Sequence, residues 1–143
     1  MTHLITFTTS QFDASVEVPN PINPIAGESV LKWLREKLAA SSYDATNPEA
    51  EDWGWYIYVN GRGASYLVGA SSDVDQAPLR EWVVQIHWQR SLRDKLFGRN
   101  KLADDDALSA FIERIIREGI GAQYVHSIGK FIFWSSKAPM NQG

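Results

Sequence analysis

His87 is the histidine best placed in this chain for acid–base chemistry. It falls on the more polar side of an alternating segment, Trp82 to Gln89, and an imidazole exchanges protons efficiently near neutral pH when a neighbour fixes its tautomer. Glu49, Glu51 and Asp52 are the carboxylates available to orient it. Ser127 or a loop serine would have to be the nucleophile, yet none lies in a Gly-x-Ser-x-Gly setting. Catalysis therefore has one candidate residue and no motif, and a non-catalytic protein is the favoured expectation.

Metal and cofactor chemistry have less behind them. His3, His87 and His126 are far apart, no His-Glu-x-x-His occurs, and there are no cysteines. The run Asp104-Asp105-Asp106 lacks the alternating ligand spacing of a calcium loop and suits a helix amino end instead. Asn60-Gly61-Arg62-Gly63 lacks the spacing and the terminal Lys-Ser or Lys-Thr of a phosphate loop. No metal and no cofactor are expected.

Aromatic and basic residues raise a nucleic-acid reading. Tyr56 and Tyr58 could stack bases while Arg90, Arg93, Lys95, Arg99 and Lys101 reach phosphates. Against it stand a net charge of -3 and a pI near 5.6, which give no general attraction for a polyanion. Nucleic-acid binding is accordingly disfavoured.

The leading reading is a small protein-interaction or regulatory module. A strand presents aromatic side chains at little entropic cost, and a polar rim orients a partner without any catalytic group. Tyr56 and Tyr58, supported by Arg62 and His87, are the residues assigned to that surface. The partner is another protein or a second copy joined at a strand edge; a small molecule held by the same aromatic surface, or a small enzyme using His87, is the alternative.

These residues need a sheet to hold them. Trp53-Gly54-Trp55-Tyr56-Ile57-Tyr58-Val59 runs into Asn60-Gly61, a strong hairpin signal that would pair Val59 with Arg62, Ile57 with Ala64, Trp55 with Tyr66 and Trp53 with Val68. A four-residue loop would change the partners and keep the faces; a three-residue loop would reverse them. Two-fold alternation puts Trp82, Val84, Ile86 and Trp88 on one face, beside Trp53, Trp55 and Ile57, and Val83, Gln85, His87 and Gln89 on the other.

Other strands are expected at His3 to Thr8, Ala14 to Val18, Gln123 to His126 and Lys130 to Trp134. Helical periodicity marks Glu28 to Ala40, with Val30, Leu31, Leu34 and Leu38 as its stripe, and a second helix from about Asp104 to Glu118, stopped at Gly119. Ser91 to Phe97 reads as a short helix. The expected fold is α+β, a single mainly antiparallel sheet with two principal helices packed on one face. That leaves the opposite face for Tyr56, Tyr58 and His87.

At 143 residues and 44% hydrophobic, the chain can bury a sizeable core without disulfides. One domain over residues 1–143 is expected, with a flexible tail after about residue 135. No stretch approaches the length of a membrane span and no basic-then-apolar leader is seen; a soluble, cytoplasmic protein is the expectation.

Overall fold

The computed structural model describes residues 2–73, 80–89 and 107–131. Eight strands, β1 (Thr2–Thr9), β2 (Ile25–Ala26), β3 (Asp44–Ala45), β4 (Glu49–Glu51), β5 (Gly54–Gly61), β6 (Ala64–Asp73), β7 (Arg80–Gln89) and β8 (Val125–Phe131), form one antiparallel sheet. Its order is β3-β5-β6-β7-β1-β8, with β4 also on β5 and β2 on β6. Among the described residues the α-helices are α1 (Glu28–Leu38) and α2 (Ala107–Ile120). The fold is α+β as expected.

Both helices lie on one face. α1 packs on β5 and β6, α2 on β1 and β8, each through its apolar stripe: Val30, Leu31, Leu34 and Leu38 in α1, Leu108, Ile112 and Ile116 in α2, all fully buried. Beneath them the inward residues of successive strands, Ile5 and Phe7, Trp55, Ile57 and Val59, Val68 and Ala70, Trp82, Val84 and Ile86, close the core. Alternation in the strands and a helical stripe in the helices meet on the same layer, which is why the two-layer solution holds.

α1 is capped from outside. The Glu17 carboxylate accepts the backbone N–H groups of Gly27 and Ser29 and the Ser29 hydroxyl, while buried Glu28 accepts the Val18 N–H at 2.8 Å. Two carboxylates thus satisfy donors at the helix start and in the segment that precedes it.

Several expectations need correcting. Ala14–Val16 is a turn of 3-10 helix, not a strand, because Asp13 accepts both the Ser15 N–H and its hydroxyl and winds the chain locally. The two strands expected at Gln123 to His126 and Lys130 to Trp134 are joined in one strand, β8, through Phe131, with an irregularity where a break between them was expected: pairing passes from Leu4–Ile128 to Thr2–Phe131 with one extra residue on β8. α2 continues past Gly119, against whose Cα the Trp33 ring packs, and ends at Gly121, whose N–H reaches the Arg117 carbonyl.

The hairpin turn slides by two residues. Arg62 and Gly63, both at positive φ, form it, and the pairs are Gly61–Ala64, Asn60–Ser65, Val59–Tyr66, Ile57–Val68 and Trp55–Ala70. An even shift keeps every side chain on its expected face. Two interactions favour the longer hairpin: Asn60 accepts the Ser65 hydroxyl at 2.6 Å, and Gly61 lies against Tyr43, where a Cβ would come within 2.5 Å of the ring.

The short helix at Ser91–Phe97, the basic residues Arg90, Arg93, Lys95, Arg99 and Lys101, the acidic run Asp104–Asp106, the strand expected beyond Phe131 and the tail after residue 135 lie outside the described residues.

Candidate functional site

On the face away from the helices, pairing register aligns Tyr58, Leu67 and His87 in one row. The next row runs Glu49, Tyr56, Gly69, Gln85, Leu4 and Ile128. Among the described residues no helix covers these rows. Tyr58 remains 38% exposed and Ile128 52%.

The aromatic part of this face is built around Tyr56. Its ring meets Tyr58 edge-on with centroids 5.4 Å apart and lies 6.4 Å from Trp53, and its hydroxyl is 3.3 Å from Glu49 Oε1. Partial burial and the Glu49 carboxylate raise the Tyr56 phenol above its ordinary range.

Trp53 belongs to this open face and not to the core. Asp52 and Trp53 are the two turn residues between β4 and β5, which pair at Glu51–Gly54, so Trp53 stands outside the alternation that buries Trp55. Its ring fills the hollow above Gly69, beside Gln85. Asn20 and Asn23 hold that turn: the Asn20 amide donates to the Glu51 and Gly54 carbonyls and the Asn23 amide to Asp52. Asn20 and Asn23, in the segment before β2, are thus the clamp on the turn that carries Trp53.

His87 Nε2 lies 2.9 Å from Gln85 Oε1, and burial pushes its pKa below the ordinary imidazole value. Glu49 is engaged by Tyr56 and Glu51 by the Asp52 N–H; neither is seen orienting the imidazole. Ser127, the candidate nucleophile, lies with the helices, where it hydrogen-bonds Glu113. Glu113 also accepts His3 Nε2–H at 3.1 Å and Arg117 Nε–H at 2.8 Å. Burial acts to raise the Glu113 pKa, but these hydrogen bonds together hold it below the ordinary range.

The structure therefore brings Tyr56, Tyr58 and His87 to one face and adds Trp53 and Leu67 to them. Arg62 is elsewhere. Its guanidinium lies over the buried Tyr43 ring on the helical side, 5.6 Å from the centroid. Among the described residues no three histidines or acids converge as a metal site, and no helix is long and apolar enough to cross a membrane. Comparison with protein-family models, with curated proteins and with solved structures returns no match.

Proposed function

We propose that this is a protein-interaction module whose open sheet face receives a basic, partly apolar partner segment. The observation that carries the reading is the aromatic trio Trp53, Tyr56 and Tyr58, edged by Glu49, Glu51 and Asp52. Ring faces attract cations and apolar stems alike, and neighbouring carboxylates select lysine or arginine over acid. Tyr56 and Tyr58 act as anchors, Trp53 as the wall at one end, and His87 as a polar neighbour in the Tyr58 row.

Selection from a random peptide display library tests this. Retained peptides should be enriched in lysine and arginine interspersed with apolar residues, bind more weakly as salt rises, and lose at least tenfold in affinity to the Tyr56→Ala, Tyr58→Ala double variant. Peptides without basic enrichment, or binding that the double variant leaves unchanged, reject the assignment.

A further inference from the structure

At the end of the sheet where β5 turns into β6, a cleft of about 510 Å³ opens between that turn, the segment after α1 and the start of α2. Two arginines line it. Arg62 lies over Tyr43, Arg114 lies 5.2 Å over Phe111, and the two rings stack on each other with centroids 6.0 Å apart. A guanidinium lying over an aromatic ring still has N–H donors that a planar or tetrahedral oxyanion can take up.

Neither arginine has a carboxylate partner among the described residues. Arg117, one turn further along α2, contrasts with them: it is held by Glu113. Two like charges lining one cleft repel, and a bound anion turns that repulsion into attraction. Exposed Ser42 adds a hydroxyl at the same opening. Arg62 also occupies a left-handed turn position, φ 54, where asparagine or glycine costs less; the turn places a long cation at this cleft in spite of that cost.

We propose that the cleft is a binding site for a small organic phosphate. Its volume suits a small molecule rather than a bare ion, two guanidiniums match a dianionic monoester better than a single carboxylate, and the site is independent of the Tyr56–Tyr58 face. Amide and side-chain resonances of the intact protein should be followed during titration with phenyl phosphate, inorganic phosphate and benzoate at constant ionic strength. Saturable shifts centred on Ser42, Tyr43, Arg62, Phe111 and Arg114 are expected with phenyl phosphate, at lower concentration than with inorganic phosphate or benzoate.

Arg62→Gln and Arg114→Gln should each weaken phenyl phosphate at least tenfold while the rest of the spectrum is retained, and Arg114→Lys should fall between wild type and Arg114→Gln. Arg114 stands on an exposed helix face, so the test survives even if the strained turn does not tolerate Gln at position 62. Absence of saturable shifts with phenyl phosphate, a preference for benzoate, or equal affinity in wild type and Arg114→Gln overturns the proposal.

Discussion

The indole of Trp53 occupies the place of a side chain at Gly69: a Cβ there would sit 2.5 Å from Trp53 Cη2. A residue without a side chain and one with the largest kind of side chain fit each other across neighbouring parts of the open face. Gly69→Ala should therefore displace the ring, changing Trp53 accessibility and the packing of Tyr56. A destabilisation of about 1–3 kcal/mol is expected, the usual cost of overfilling a packed position. Urea unfolding measures the loss, and fluorescence quenching in a variant carrying Trp53→Phe identifies which indole has moved.

Trp82 and Tyr58 make opposite predictions. Trp82 is fully buried between Phe12 and the sheet, and Trp82→Ala should cost roughly 3–5 kcal/mol through lost contact and the cavity left behind. Tyr58→Phe should change stability by less than about 0.5 kcal/mol, the ordinary range for a surface substitution. Comparable losses for the two in chemical denaturation would contradict the assignment of faces.

Removing the external helix cap should be costly for a polar change. Glu17→Ala strands the Gly27 and Ser29 N–H groups, and about 1–2 kcal/mol is expected from the loss of a cap. Glu17→Gln should recover part of it, since an amide oxygen can still accept one bond. Thermal unfolding of the two variants beside wild type decides the point.

The pH dependence of stability carries a signature of His87. Burial lowers its folded pKa from 6.5, so below about pH 6.5 the unfolded chain binds a proton that the folded one resists. Stability linked to this residue is present above that pH and declines as pH falls toward the folded value. Glu113, held below 4.5 by its hydrogen bonds, loses its contribution only in a more acidic window. Urea midpoints between pH 7.5 and 5 should fall in wild type and fall less in His87→Gln; identical slopes would remove His87 from the account.

Two-fold alternation in Trp82 to Gln89 and the stripes at Val30–Leu38 and Leu108–Ile116 made the layers and both faces legible, because burial repeats with the geometry of each element. The hairpin register was not. Asn60-Gly61 is locally the better turn, and Tyr43, distant in sequence, makes Gly61 more useful inside the strand. β2, β3 and β4, at two or three residues, are too short to show a period. Trp53 departs from the expected face because alternation does not run through a turn, and the local signs of that turn are Asp52 and Gly54.

Tyr56, Tyr58 and His87 could be grouped because pairing parity alone puts them on one face. The arginine cleft had no such sign. Tyr43, Arg62, Phe111 and Arg114 come from a loop, a turn and a helix, and only the packing of α2 across the sheet end joins them.

The place of β1 between β7 and β8 bears on the order of assembly. Among the described residues Thr2–Thr9 pairs with Arg80–Gln89 and Val125–Phe131, so during synthesis this segment waits, unpaired along both sides, until the chain has been made through Arg80–Gln89. Closing such long loops before any pairing compensates slows folding. A nascent chain stalled after β6 would hold the hairpin already formed and β1 still searching, and that interval is when a chaperone, or another copy of the same strand, has access to it.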